Sequence, residues 1–312
     1  MQDFKTNYID TNRRAFFKRA LPLVLVPFLP KLSFGDSLKA NNKSLKVLTC
    51  NIRVDLPDDA TKGLGWDQRR EACIRIIKNQ HADIIGFQEV LRNQFKDLKA
   101  ALTDYYAFGY DGPEMDKHKE GYHGIAKNPI FFSKKRFELL TASTYWLSET
   151  PLVAGSISWS SARARNAGWV RLYDKITKKE LRVVNLHLDH VNDEAKKHQI
   201  QVVLEEAAQY QEYFPQLLLG DFNADMHSIV IKNIEKSGWV DSFREVNGDA
   251  AIEGTTHGFK GYNYEKKAKT KKIDFIFYKG PAKALSSKII KDHVKGVYPS
   301  DHYFLSAEIL LY

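Results

Sequence analysis

The chain has 312 residues, of which 43% are hydrophobic and 12% aromatic, enough for one large globular domain with a sizeable core. Its formal charge is +9, but +4 of this lies in the first 40 residues, which contain seven Lys or Arg and three Asp or Glu. The remaining +5 is moderate for this length and does not by itself indicate a nucleic-acid partner. The two cysteines, Cys50 and Cys73, provide no disulfide framework, and no Cys/His spacing predicts structural zinc.

Residues 1–40 are predicted to be a twin-arginine-like export signal and its linker. Thr11–Lys18 resembles the twin-arginine pattern, and the apolar stretch Ala20–Leu29 that follows is too short to span a membrane comfortably. An amphipathic first helix is the alternative, but Pro22 and Pro27 disfavour a helix interior. We therefore expect a protein exported to the periplasm or beyond. No clear cleavage site precedes Asn42, so an uncleaved signal anchor is the second alternative.

Residues 41–312 are predicted to form one domain in which strands alternate with helices. Continuous apolar runs predict buried strands, and apolar residues three or four apart predict helices. The predicted strands are Leu45–Cys50, Ala82–Phe87, Pro129–Phe132, Gly168–Tyr173, Leu181–Leu188, Gln216–Leu219, Ile273–Tyr278 and a last strand from Tyr303. The predicted helices are Asp67–Asn79, Leu91–Leu102, Asp193–Tyr213 and Ser228–Ser237, and the predicted long loop is Asp111–Lys127. This order indicates the α/β or α+β class, with two sheets to bury the strands.

Asp, Glu, Asn or His residues follow or end six of the apolar segments. Strand ends and the loops after them are where a sheet scaffold commonly displays catalytic groups. One such segment would carry little weight, whereas six in one chain favour an active site. The segments are Thr49–Asn51, Gln88–Glu89, Asn185–Asp189, Gly220–Asn223, Ile273–Phe275 and Pro299–His302.

Three of these residues, Asn51, Glu89 and Asp301, offer the hard oxygen atoms that hold Mg²⁺ or Mn²⁺. Such ions retain several waters and need only one or two carboxylates, so a sparse ligand set is expected. For Glu89 the alternative is a carboxylate that caps the following helix.

Asp221 and Asn223 are expected on one side of an extended chain, because side chains alternate along a strand, and Gly220 is expected to let the backbone turn. The carboxylate could orient an attacking water, and the amide could hold a phosphoryl oxygen. The alternative for either residue alone is an Asx-turn at a strand end.

Asp274 and His302 suggest a carboxylate–imidazole couple, in which the Asp fixes the tautomer and supports the imidazolium. His187 offers another imidazole, two residues after Asn185 on the same strand face. Asn185 and Arg165 are the candidate substrate contacts. Arg165 could bind a phosphate in bidentate fashion, and an exposed surface arginine is its alternative.

As an ordered set, these segments resemble the endonuclease/exonuclease/phosphatase superfamily, which has the DNase I-like fold, over Leu45–Leu310. The resemblance implies a four-layer α-β-β-α sandwich, in which two packed mixed sheets are flanked by helices. It also implies hydrolysis of phosphoesters that depends on Mg²⁺ or Mn²⁺.

The resemblance further implies a role for each residue. The implied metal ligands are Asn51, Glu89 and Asp301. Asp221 resembles the residue that orients or deprotonates the attacking water, and Asn223 the one that stabilises the transition state beside it. His187 resembles the histidine near the scissile phosphate, and Asp274 with His302 resembles the family's Asp–His pair. In-line attack by water, with the metal and His302 absorbing the developing charge, is the implied mechanism.

Within the superfamily, Trp146–Pro151, Trp159 and Asn185–His190 resemble a bacterial, often exported branch of small-molecule or sugar phosphoesterases. Members of that branch often have Gly-Glu shortly before a Pro-Ile-Phe-Tyr strand, where this chain has Ile125–Phe132 without a glutamate. The loss is expected to affect the choice of substrate or the support of His187.

The expected function is therefore hydrolysis of a small-molecule, sugar or lipid phosphate by a monomer without a stable membrane span. A secreted nuclease acting on DNA or RNA is the alternative. It is not favoured, because the chain has no helix–hairpin–helix motif and no clustered Arg/aromatic face. A non-catalytic binding protein on the same fold is the third hypothesis, and it would require the loss of residues that are all present.

Overall fold

The computed structural model describes residues 43–112, 126–249, 253–264 and 270–312. The predicted export signal lies outside the described residues, and so does most of the predicted loop at Asp111–Lys127. No helix in the described part of the chain is both long and apolar enough to cross a membrane.

The described residues form twelve strands and six α-helices. The strands are β1 (Leu45–Asn51), β2 (Ile84–Gln88), β3 (Tyr105–Phe108), β4 (Ile130–Ser133), β5 (Phe137–Trp146), β6 (Asn166–Asp174), β7 (Lys179–His187), β8 (Gln216–Asp221), β9 (Val240–Asp241), β10 (Asp274–Lys279), β11 (Ala282–Ile290) and β12 (Phe304–Leu311). The helices are α1 (Pro57–Ala60), α2 (Trp66–Asn79), α3 (Arg92–Ala101), α4 (Asp193–Ala207), α5 (Ile229–Lys236) and α6 (Ser242–Asn247).

The strands form two six-stranded mixed sheets. The first has the order β11-β12-β1-β2-β4-β3 and the second the order β5-β6-β7-β8-β10-β9. In each sheet one central pair is parallel, β1 with β2 and β7 with β8, and the other pairs are antiparallel. The prediction of two packed sheets in an α/β domain is confirmed.

The core has three parts because each strand presents alternate residues to opposite faces. Residues such as Val47, Ile84 and Leu219 are buried in a cluster between the two sheets. A second cluster includes residues of α2, α3 and the other face of the first sheet, and a third those of α4, α5 and the second sheet. Helices thus cover both outer faces, which confirms the predicted four layers.

Two kinds of difference separate the predicted elements from the observed ones. The helix predicted for Asp193–Tyr213 begins after its cap at Asn192 but ends at Ala207. Beyond that point the Tyr210 ring packs on Phe214 and under the Arg182 guanidinium, so tertiary contacts override the helical pattern. Strands β3, β5, β9 and β11 were not predicted, because β3 and β9 have only four and two residues, whereas β5 and β11 lack a continuous apolar run.

A buried ion pair connects β6 to the turn before β5. Arg136 and Asp174 are 4% and 0% exposed, and Arg136 Nε and Nη2 donate to the two carboxylate oxygens at 3.1 and 2.9 Å. Arg136 also donates to the carbonyls of Lys43 and Ser44, just before β1. Burial alone would raise the pKa of Asp174, but hydrogen bonds from Arg136 and from Ile176 N–H outweigh it and lower that pKa.

We expect Asp174→Asn to reduce the free energy of unfolding at pH 7 by about 3 kcal/mol, because the buried guanidinium loses one of its two carboxylates and retains only Asp83, at 2.9 Å from Arg136 Nη1. The pKa of Asp174 is depressed in the folded state, so its contribution is present above the unfolded-state pKa of about 3.9 and is lost as the pH falls through the folded-state value. Urea denaturation should show the full difference in unfolding free energy between the wild type and the variant at pH 7. Below about pH 4 this difference should decrease. A difference that stays constant down to pH 3 would contradict this account.

Candidate active site

The ends of neighbouring strands bring the predicted site residues to one edge of the sandwich. Asn51, the last residue of β1, is opposite Gln88, the last residue of β2. In the second sheet Asp221 ends β8 and is opposite both His187, which ends β7, and Asp274, which begins β10. Parallel strands end at the same edge and antiparallel neighbours begin there, so segments distant in sequence meet at this edge.

One pocket of about 250 Å³ at this edge contains seven of the ten residues predicted for the site. The seven are Glu89, Arg165, His187, Asp221, Asn223, Asp301 and His302. Asn51 and Asp274 are hydrogen-bonded to residues that line the pocket. The structure therefore brings nine of the ten together, and the exception is Asn185.

Asn51 connects the carboxylates of the two sheets. Its Nδ2 donates to Glu89 Oε1 at 3.1 Å and to Asp221 Oδ2 at 2.9 Å, while its Oδ1 accepts from Arg53 N–H at 2.9 Å. An amide nitrogen thus lies between two carboxylates, where a cation would also be stabilised. The predicted role of Asn51 as an oxygen ligand requires its amide to turn over, which would break the bond with Arg53 N–H.

Glu89 is directed at the pocket and not at the helix that follows it. Its Oε2 accepts from Val54 N–H at 2.8 Å, in addition to the bond between its Oε1 and Asn51. At the start of α3 the N–H of Leu91 is instead bound by Gln94 Oε1 at 3.0 Å. The helix-capping alternative for Glu89 is therefore wrong.

The donor set of the pocket fits a hard divalent cation. One atom each of Glu89, His187 and Asp221 lie within 4.8 Å of one another, and so do one atom each of Asp221, Asp274 and His302. Asp301 lines the same pocket but belongs to neither of these two groups of described residues. Three carboxylates at one pocket repel one another, and carboxylate oxygen is the atom that Mg²⁺ and Mn²⁺ prefer.

The two oxygens of Asp221 have different surroundings. Oδ1 accepts from Asn223 N–H at 2.9 Å, which is the Asx-turn considered as an alternative. Oδ2 is bonded to Asn51 and lies 3.5 Å from His187 Nε2 and 3.9 Å from His302 Nε2. Burial and the nearby Asp274 carboxylate raise the pKa of Asp221 to about 7. One oxygen thus orders the backbone, and the other is available for chemistry.

Asn223 reaches the pocket by a different route from the one predicted. Its φ of 47° ends the extended chain, so the alternation argument for Asp221 and Asn223 was wrong. The Asn223 Nδ2 donates to His187 Nε2 at 2.9 Å and to the carbonyl of Leu188 at 3.1 Å. Gly220 does not form a turn either. It lies within β8, where an added Cβ would be 2.2 Å from the carbonyl oxygen of Leu186.

The predicted Asp–His couple is present, with 2.9 Å between His302 Nδ1 and Asp274 Oδ2. The carboxylate accepts the Nδ1 proton, so His302 Nε2 is the nitrogen nearer to Asp221. Burial alone would lower the pKa of His302, but the carboxylates of Asp274 and Asp221 raise it well above its usual value. His302 is therefore held as an imidazolium at neutral pH.

His187 is held as a neutral imidazole. Its Nε2 accepts the Asn223 amide, so its proton is on Nδ1, which is buried without a partner among the described residues. Burial and the charge of Arg165 lower the pKa of His187 well below its usual value.

Asn185 lies between the sheets and not in the pocket, so the prediction that it contacts the substrate is wrong. It is fully buried, and its Oδ1 accepts from Gln88 Nε2 at 2.6 Å. Its Nδ2 donates to the carbonyls of Phe87 and Pro129, at 2.7 and 3.1 Å. All of its polar atoms are used to connect the two sheets. An added Cβ on Gly86 would lie 2.7 Å from Asn185 Oδ1, so this contact also explains that glycine.

Two further polar residues line the pocket and were not predicted as site residues, Arg53 and His190. Arg53 is two residues after Asn51, and His190 is one residue beyond a segment already selected, so extending each motif by two residues would have found both. Arg53 and Glu89 have φ values of 59° and 63°. Residues other than glycine rarely adopt this left-handed backbone conformation, and such strain is commonly concentrated at functional sites.

Two mixed sheets between helices, with carboxylates and histidines converging at one edge, define the DNase I-like class of phosphoester hydrolases. The model of the endonuclease/exonuclease/phosphatase family matches residues 48–302, and the chain belongs to that family. Among curated proteins, none matches the sequence significantly.

Several solved structures are similar over most of this chain. An endonuclease/exonuclease/phosphatase from Bacteroides vulgatus is 29% identical, with a TM-score of 0.75 over 86% of this chain and 99% of that one. The mannosyl-6-phosphatase of Bacteroides thetaiotaomicron is 28% identical, with a TM-score of 0.74 over 86% of this chain and all of that one. The human Nocturnin catalytic domain, at 20% identity, a TM-score of 0.64 and coverage of 86% and 95%, shares the fold.

Proposed function

We propose that this protein is a phosphoester hydrolase that depends on Mg²⁺ or Mn²⁺ and acts on a phosphorylated small molecule or lipid, with sugar phosphates as the first class to test. The observation that carries the proposal is the convergence of Glu89, Asp221 and Asp301 with the Asp274–His302 pair at one pocket. The similarity to a mannosyl-6-phosphatase supports the choice of sugar phosphates. A volume of about 250 Å³ suits a compact substrate.

Asp221 is proposed to orient the attacking water and to accept its proton through Oδ2. The position of this atom near two imidazoles supports the role, and a carboxyl with a pKa of about 7, raised by burial and Asp274, exchanges protons efficiently at neutral pH. His302 is proposed to stabilise charge that develops on the phosphoryl or leaving oxygen, with Asp274 fixing its orientation. Asn223 is proposed to stabilise the transition state through His187, which it holds.

Glu89 and Asp301 are proposed to hold the metal ion, joined by Asn51 if its amide turns over. When bound, such an ion polarises a phosphoryl oxygen and offsets the negative charge of the transition state. Glu89 lines the pocket together with Asp301 and accepts from Asn51 Nδ2, which supports a cation beside the Glu89 carboxylate.

The test is an assay of the purified protein with sugar phosphates, p-nitrophenyl phosphate, bis-p-nitrophenyl phosphate, phospholipids and plasmid DNA. We expect hydrolysis of at least one small ester with Mg²⁺ or Mn²⁺, and a loss of about 100-fold or more in EDTA that either ion reverses. An Asp221→Asn protein purified in parallel controls for contaminating phosphatases. Inertness on every ester would refute the proposal, and efficient nicking of plasmid DNA alone would make the protein a nuclease.

A further inference from the structure

Arg165 is a buried guanidinium at the pocket that lacks a carboxylate partner among the described residues. The residue is 6% exposed, its Nη2 lies 3.2 Å from His190 Nδ1, and its Nε has no hydrogen-bond partner in the described part of the chain. The carboxylate of Asp189 is near but already accepts four hydrogen bonds, one from Ser161 Oγ and three from backbone N–H groups. A buried charge is normally paired, so Arg165 favours an anion from outside the chain.

The other arginine of the pocket differs in this respect. Arg53 Nε donates to Asp59 Oδ2 at 2.8 Å, and Arg53 Nη1 lies 3.4 Å from Asp301 Oδ2. Two carboxylates therefore compensate its charge. Arg165 is the pocket arginine whose charge is available to a ligand.

His190 adds a hydrogen-bond donor beside this charge. An arginine only donates, so His190 Nδ1 accepts and the proton of the neutral ring is on Nε2. The side chain of His190 is 48% exposed, and both residues line the pocket. Burial and the charge of Arg165 lower the pKa of His190, which keeps this tautomer neutral. A guanidinium and an N–H donor at one place form a site for an anionic oxygen atom.

We propose that Arg165 and His190 bind the additional negative charge of a phosphomonoester, so that the pocket selects monoesters over diesters. The inference rests on the proposed function and names the substrate class within it. A monoester carries a charge close to −2 at pH 7, whereas a diester carries −1. A diester would also place an organic group against Arg165 and leave its charge unpaired.

The corresponding reaction consumes one water. The oxygen of water forms the new bond to phosphorus while the bond from phosphorus to the ester oxygen breaks, and the leaving oxygen takes up a proton. The products are the alcohol and inorganic phosphate. Arg165 and His190 bind oxygens that are not exchanged in this step, which makes them binding residues for the phosphoryl group.

The test compares p-nitrophenyl phosphate with bis-p-nitrophenyl phosphate, which have the same leaving group, for the wild type, Arg165→Gln, Arg165→Lys and His190→Gln. We expect Arg165→Gln to lower kcat/KM for the monoester about 10- to 100-fold, the size of a lost charged hydrogen bond, and for the diester less than about 3-fold. For Arg165→Lys and His190→Gln, the loss of kcat/KM for the monoester should lie between these two values. Arg171→Gln is the matched control, because Arg171 forms a surface ion pair with Glu180 away from the pocket.

A binding measurement separates this inference from the proposed function. Inorganic phosphate should raise the Tm of the wild type more than dimethyl phosphate does, and Arg165→Gln should remove that difference. An equal loss of both activities in Arg165→Gln, or an unchanged response to phosphate, would overturn the inference while leaving the hydrolase intact. A wild type that hydrolyses none of the esters, sugar phosphates and phospholipids included, would instead overturn the proposed function and the monoester selection with it.

Discussion

Asp221→Asn should reduce kcat by about 10²- to 10⁴-fold without loss of the fold, because the amide cannot accept a proton from water. The substitution should also stabilise the metal-free protein. Burial and Asp274 raise the pKa of Asp221 to about 7 in the folded state, so the unfolded chain releases this proton more readily. The wild type should therefore lose stability relative to the variant as the pH rises from the unfolded-state pKa of about 3.9 to about 7.

The measurements are kcat with Mg²⁺ and the Tm in EDTA, at several pH values for both proteins. Asp225→Asn is the matched control, since Asp225 lies on the loop that follows Asp221 but pairs with the exposed Lys271 and does not line the pocket. It should leave kcat unchanged. If Asp221→Asn retains wild-type turnover, Asp221 has no role with water. If the Tm of the variant falls markedly, the hydrogen bonds that the carboxylate accepts from Asn223 N–H and Asn51 Nδ2 stabilise the fold more than its buried charge destabilises it.

The strands that could be predicted from sequence are those buried on both faces. Such strands, β1, β2 and β8 among them, are continuous apolar runs, and their polar ends mark the edge where the site forms. Strand β5 could not be recognised, because most of its residues are exposed to solvent and its sequence contains no continuous apolar run. Sheet membership determines which strand ends meet, and this depends on pairing between distant segments that no local pattern contains.

The same limit applies to individual side chains of the site. The motifs selected Asp221, Asp274 and His302 because carboxylates and imidazoles at strand ends are chemically informative. They could not distinguish His187, which lines the pocket, from Asn185, two residues earlier on the same face, which connects the sheets. The difference comes from partners on the opposite sheet, and the spacing of residues along one strand does not contain that information.

Arg69 is a second residue whose importance only the tertiary structure reveals. It is fully buried on α2 and donates to four backbone carbonyls, those of Ile52, Arg53, Leu64 and Pro299, at 2.6–3.1 Å. Ile52 follows Asn51, and Pro299 precedes the segment that contains Asp301 and His302. One guanidinium thus fixes the chain that follows Asn51 and the loop that precedes Asp301 and His302, although Arg69 does not itself line the pocket.

Arg69→Met should therefore lower both stability and turnover. Buried carbonyls lose their donors, which should cost about 2–4 kcal/mol of unfolding free energy, and displacement of the loops should reduce kcat about 10- to 100-fold. Arg69→Lys retains the charge but not the planar guanidinium, so its stability and kcat should lie between those of the wild type and those of Arg69→Met. Arg70→Met is the matched control, because the neighbouring Arg70 is 45% exposed and pairs with surface carboxylates. With kcat measured well below the Tm of each protein, unchanged turnover in Arg69→Met would mean that Arg69 supports the fold alone and does not position the loops of the site.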